Sequence, residues 1–262
     1  MTTHHNHQLQ GRTETELLWF RRRSLLQAAS AWAATAAALP SAIAQQQGGN
    51  IVDLRGDALR NGKPLTRDQG IAPGDTLETG PGSHTVFTVG DSAFMVRANS
   101  RIALEGEPSG AVKVLRILTG GVASVWGKGR EREVKLPTLT AGIRGTGVYA
   151  EVFPISHQPA GSQEVRSYFC NCYGVVELQS GDARVLSRSS YHQAHWGEPA
   201  ASGGPRITPA GAINHTDEEL EFLAQLVAQR TAWQIAGRKG AKDGRGKLYP
   251  GSTASPYGDS GY

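Results

Sequence analysis

Gly142-Ile143-Arg144-Gly145-Thr146-Gly147-Val148-Tyr149-Ala150-Glu151-Val152 is the stretch from which the fold is read. Three glycines at 142, 145 and 147 flank Arg144 and Thr146 and run straight into a β-prone segment, Val148 to Phe153. Glycine permits positive φ and close backbone approach, so the string reads as a tight corner feeding a strand.

Working outward, residues 50 to about 196 repeat one pattern: short β-prone runs broken by turn residues. Upstream of the corner these runs are Ile51–Leu54, Ala58–Arg60, Lys63–Leu65, Thr76–Thr79, Thr85–Val89, Ala93–Val96, Ile102–Leu104, Val112–Leu118, Val122–Trp126 and Glu133–Leu136. Downstream they are Glu164–Cys172, Val175–Leu178 and Arg184–Leu186. Pro73-Gly74-Asp75, Gly80-Pro81-Gly82, Gly90-Asp91, Gly120-Gly121 and Gly181-Asp182 punctuate them. Asn61-Gly62 is a type I′ hairpin signal. Strands at spacings of about 8–12 residues predict a mainly β domain of many short antiparallel strands, in a roll, sandwich or short solenoid-like arrangement. A low apolar content (39%) and 33 glycines among 262 residues agree with a loop-rich β protein.

After this domain, residues 197–214 are rich in Gly, Pro and Ala and read as a linker. One C-terminal α-helix is expected over 215–236. Thr216 caps it, Glu219 completes a capping box, and Asp217, Glu218 and Glu219 suit its positive end. Leu220, Leu223 and Val227, widened by Phe222, Leu226 and Trp233, form an apolar stripe expected to dock on the β domain. Residues 237–262 carry little apolar content and read as a disordered tail.

The first 44 residues read as an export signal. Arg21-Arg22-Arg23-Ser24-Leu25-Leu26 fits the twin-arginine pattern, centred on Arg22 and Arg23. An alanine-rich run ends at Pro40, and Ala42-Ile43-Ala44 supplies an A-x-A cleavage site before Gln45. The run falls short of the ~20 residues needed to span a bilayer, so no stable transmembrane span is expected after cleavage. The expected destination is the bacterial periplasm. Residues 1–44 hold four basic and two acidic residues, which brings the overall net charge of +4 down to +2 in the mature chain. With no basic run in the folded part, nucleic acid is not an expected partner.

Cys170-Asn171-Cys172 is the one chemically pointed motif. In a strand, residues two apart face the same side. Two thiolates on one face suit a soft metal such as Cu(I) or Zn(II), with His192, His195 and His215 as candidate further ligands. His192 and His195 would share a side in a helical turn but take opposite faces in a strand. The competing readings are a strained, redox-active Cys170–Cys172 disulfide, favoured by an oxidising compartment, and an inert buried pair. No G-x-S-x-G, H-E-x-x-H or Walker loop occurs, so no enzyme is expected beyond a thiol-redox activity.

At Gly142–Tyr149 the sequence resembles the FecR-type domain, the periplasmic module of iron-uptake sensors. Gly74–Gly80, Gly90–Leu104, Leu118–Val122 and Tyr173–Leu178 fit the same family register, so the resemblance spans roughly residues 50–190 of a domain bounded at 45–196. Sigma-regulating members carry a cytoplasmic segment and a membrane helix ahead of this domain. Only about twenty residues precede the arginines here, too few for such a segment. The resemblance therefore implies a free-standing exported binding or signalling module; its expected partner is another envelope protein, with a glycan or other envelope polymer as the alternative. Arg144 and Thr146 are candidate anion-binding groups, but a corner without a phosphate-loop lysine is expected to use them structurally.

Overall fold

The computed structural model describes residues 49–107, 110–155, 164–199, 204 and 206–237. The expected export signal, with Arg22, Arg23, Ala42 and Ala44, and the tail after Gly237 lie outside the described residues.

Among the described residues, fifteen strands and two helices make a mainly β fold. The first seven strands are β1 (Ile51–Arg55), β2 (Ala58–Arg60), β3 (Lys63–Pro64), β4 (Thr76–Thr79), β5 (His84–Val89), β6 (Ser92–Val96) and β7 (Arg101–Gly106). They form antiparallel ribbons: β3-β2-β4-β7 on one side and β1-β5-β6 on the other. Asn61 and Gly62, with φ of 52° and 75°, make the expected I′ turn between β2 and β3.

Both ribbons end on β8 (Val112–Val125), a strand of 14 residues. Its first half pairs with β7 and its second half with β6. Then follow β9 (Arg132–Lys135), β10 (Thr140–Ile143), β11 (Gly147–Pro154) and β12 (Val165–Ser180), the last 16 residues long. Strands β8, β9, β10, β12 and β11 pair in a closed circuit, a small five-stranded barrel. One link in it, β8 to β9, is parallel. A barrel this narrow closes only if some strands turn sharply and serve two sheets. Strands β8 and β12 do so, bending at Gly120 and at Gly174. At Gly174 φ is +107°, and a Cβ would run into Thr146. Gly120-Gly121, expected to be a turn, and Gly174, which lies between two expected strands, are therefore bends inside continuous strands.

Strand β13 (Ala183–Ser189) pairs with the far half of β12. Strands β14 (Gln193–Glu198) and β15 (Arg206–Ala210) extend the near half. The stretch read as a linker thus carries an edge strand. Arg206-Ile207-Thr208-Pro209-Ala210 has a proline that is admissible because β15 has only one partner. The single expected helix is two, α1 (Asp217–Leu226) and α2 (Ala232–Ala236), each with its own capping box at Thr216 and Thr231.

Alternation along the strands sorts the side chains into two cores. The inner core gathers Leu115, Ile117, Val134, Ile143, Val148, Ala150, Phe169 and Val176 from all five barrel strands, with Phe94 against Trp126 edge-on. The outer core lies on the other face of β6, β8, β11 and β12. There Met95, Val125, Tyr149 and Tyr168 meet Leu220, Leu223 and Trp233 from the helices. The expected docking of the apolar stripe is observed, with α1 packed over β6, β8 and β11.

Candidate metal centre

Tyr168, Cys170 and Cys172 fall on the outer face of β12, and Phe169 points into the barrel. The period-two placement of the two cysteines is therefore as read. Both are fully buried and unbridged, with their sulfurs 3.9 Å apart. A disulfide needs about 2.05 Å, and residues two apart in an extended strand cannot approach that far without a kink. The bridge expected from the exporting compartment is not formed in this structure.

His192 occupies the turn before β14 with φ +47°, a backbone setting uncommon for a non-glycine residue and held here by full burial. Its Nδ1 lies 3.6 Å from the sulfur of Cys170. His215, just ahead of α1, brings its Nε2 to 2.9 Å from the same His192 Nδ1. One donor atom from each of Cys170, Cys172, His192 and His215 falls within 4.8 Å of all the others, and all four residues are buried. Around a tetrahedral zinc ion, sulfur and nitrogen ligands stand roughly 3.3–3.8 Å apart. The observed spacings bracket that range.

The outer nitrogens of both rings are already committed. His215 Nδ1 donates to the carbonyl of Ile213 at 2.6 Å. His192 Nε2 sits 2.9 Å from Asp217 Oδ1, whose other oxygen accepts the Tyr191 hydroxyl at 2.7 Å. A carbonyl and a carboxylate only accept, so these outer nitrogens carry the protons. The two inner nitrogens of neutral rings then present lone pairs to each other across 2.9 Å. Such a pair requires a cation between them, either a proton or a metal. Histidine ligands held by a carboxylate or a carbonyl behind the ring are the usual outer shell of a metal site.

Electrostatics agree. Burial, the largest influence, pushes the Cys170 thiol up, yet the hydrogen bond with Cys172 and the neighbouring His215 and His192 carry it well below the ordinary cysteine value. Burial pulls His192 down, but its contacts with Asp217 and Cys170 raise it overall. The cluster thus stabilises thiolate and positive charge together, the combination a metal exploits. Aromatic walls close it: Tyr149 stacks on His215 at 4.8 Å between ring centres and Trp233 on His192 at 5.2 Å.

The remaining candidates go elsewhere. His195 pairs with Phe169 and, by alternation, takes the opposite face from Cys170, so it is not one of the ligating group. Burial lowers its pKa. Arg144 is exposed and ion-paired to Glu131, a structural role. Thr146 is wholly buried and packs on Gly174, but its hydroxyl has no hydrogen-bond partner, contrary to the expected turn bond. Gly145 has φ +68°, and a Cβ there would meet Lys128. Gly147 abuts the Tyr173 ring, whereas Gly142 has ordinary room.

Sequence reading did not find the outer shell. In sequence Asp217 reads only as a partner of the helix dipole and Tyr191 carries no signal, because their role depends on a turn and a helix start meeting in space. Among the described residues, no helix is long and apolar enough to cross a membrane. No family model and no curated protein matches the sequence. Two crystal structures of a proposed anti-sigma factor from Parabacteroides distasonis resemble the fold with a TM-score of 0.41 at 10% identity. One comparison covers 53% of this chain and 60% of that one, the other 58% and 64%. The chain thus spans under two thirds of the length of those structures.

Proposed function

We propose that the chain is an exported, non-catalytic FecR-like module of the bacterial cell envelope that binds one zinc ion through Cys170, Cys172, His192 and His215. The observation that carries this reading is the pair of facing ring nitrogens of His192 and His215, set beside two buried sulfurs. Four protein ligands fill a tetrahedral site, which favours a holding or signalling role over Lewis-acid chemistry. Zinc(II) balances two thiolates, whereas Cu(I) would leave the buried group negatively charged, an unfavourable state at zero exposure. The twin-arginine pattern at Arg22 and Arg23 agrees, since that route carries folded proteins and allows loading before export. In this reading the module meets another envelope protein.

Native mass spectrometry and elemental analysis of protein purified without affinity-tag metals test the proposal. One zinc per chain is expected, lost in Cys170→Ser. A metal-free chain that binds no added zinc, or a mass two hydrogens light that a thiol reagent restores, would replace this reading with the redox one.

A further inference from the structure

Three of the four ligands belong to the sheet, and the fourth does not. Cys170 and Cys172 sit in β12 and His192 in the turn entering β14, whereas His215 comes from the C-terminal segment that crosses the outer face. Beyond Ala210, the last residue of β15, the sheet ladder stops. Among the described residues, the backbone-to-backbone hydrogen bonds of 211–237 stay within the segment. Side chains hold it down instead. Arg97 grips Glu219 through both guanidinium ends, at 2.8 and 2.7 Å. The Tyr168 hydroxyl donates to Gly211 and accepts from the Ile213 amide. Asn214 reaches Glu151 at 2.9 Å. Under the segment lies a continuous apolar face that includes Met95, Val125 and Tyr168.

We propose that residues 211–237 form a metal-latched flap, closed over the outer sheet face when zinc joins His215 to the three sheet ligands and able to lift as a unit when the metal leaves. The inference rests on the zinc reading above. Its physical basis is linkage. The closed form offers four ligands and the open form three, so zinc binds the closed form more tightly. It shifts the closing equilibrium by the ratio of the two affinities. A segment fastened by side chains rather than by a strand ladder can open locally without breaking the sheet. Lifting it would uncover the apolar face that includes Met95, Val125 and Tyr168. The signal delivered by the site would then be the availability of that face.

Hydrogen exchange of the purified full chain, under reducing conditions with zinc(II) or with a chelator, reads the flap directly. At zinc concentrations about a hundredfold above the dissociation constant, amides of 217–236 should exchange up to about 100-fold more slowly than in chelator. Amides of β4 and β7 should be unchanged. His215→Ala should keep the protection of β4 and β7 and still bind zinc more weakly, while losing the zinc dependence of 217–236. One bound zinc per chain with equal exchange of 217–236 in both conditions would overturn the flap and leave the site standing. So would loss of protection throughout the chain on chelation, or a zinc-responsive flap in His215→Ala. Failure of the wild type to bind zinc would refute site and flap together.

Discussion

His192 Nδ1 and His215 Nε2 stand 2.9 Å apart with their outer nitrogens held by Asp217 and by the Ile213 carbonyl. This one relationship makes two scattered histidines half of the proposed zinc site. It also separates ligand from bystander in a single experiment. Replacing His192 or His215 with alanine should lower zinc affinity at least 100-fold, and replacing His195 should leave stoichiometry and affinity unchanged. Competition titration against a coloured chelator measures both. Equal losses at all three positions would show that the site is not the one described.

Asp217 touches no metal-facing atom, but it fixes the proton on His192 Nε2. Asp217→Asn should therefore weaken zinc binding by roughly 10–100-fold without changing stoichiometry. Tyr191→Phe, which removes only the hydroxyl behind Asp217, should have a smaller effect in the same direction. An unaltered affinity in Asp217→Asn would remove the outer shell from the account.

The three glycines of the 142–147 corner should respond differently. Gly145→Ala must adopt φ +68° and meet Lys128, and should cost more than ~1 kcal/mol. Gly147→Ala collides with the Tyr173 ring and should be at least as damaging. At Gly142 an added Cβ would lie 3.8 Å from the nearest atom, so Gly142→Ala should be tolerated. Urea midpoints of the three variants give the order, and a destabilised Gly142→Ala beside a neutral Gly145→Ala would reverse it.

A second buried pair gives the fold an acid limb. Asp53 accepts from Arg67 at 2.8 Å and lies 2.7 Å from His84 Nε2. Burial, its largest influence, raises its pKa, but the His84 and Arg67 contacts together bring it below the ordinary carboxylate value. A depressed folded-state pKa contributes stability that is fully present above the unfolded value of about 3.9 and is lost as pH falls through the folded one. Asp53→Asn should flatten that acid limb in thermal melts. At neutral pH it should cost on the order of 2 kcal/mol, as expected for the loss of hydrogen bonds to a charged group. An unchanged acid limb would assign the loss to other carboxylates.

Export is tested at the other end of the chain. Arg22→Lys with Arg23→Lys should leave unprocessed protein in the cytoplasm, and the wild-type mature chain should begin at Gln45. Edman or mass-spectrometric N-terminal analysis of the two fractions decides it. Normal export of the double variant would rule out the twin-arginine route.

Most of the strand set was readable because period-two runs and Gly-Asp or Asn-Gly turns are local signals. The three strands missed share a cause. Thr140-Ala141-Gly142-Ile143 is only four residues long with Ala and Gly at its centre, Gln193–Glu198 has no β-branched residue, and Arg206–Ala210 contains a proline. Each is a strand because partners on β12 or β14 pair with it, not by its own propensity. The site divides the same way. Alternation placed Cys170 and Cys172 on one face from sequence alone. Selecting His192 and His215 over His195 required the left-handed turn at His192 and the path of the chain into α1.

The closed circuit through β8 and β12 also dictates when the protein can become itself. Strand β8 waits for β11 and for its parallel partner β9, and the ring is sealed only when β12 arrives some forty residues after β8 ends. Until then the nascent chain carries open strand edges and no finished interior. Pairings so distant in sequence close slowly, on the scale of milliseconds to seconds or longer. The cysteines ride on the strand that completes the ring, and His215 follows later still. The strand that completes the ring is thus made before His215, so the full set of four proposed ligands would come together only at the end of folding.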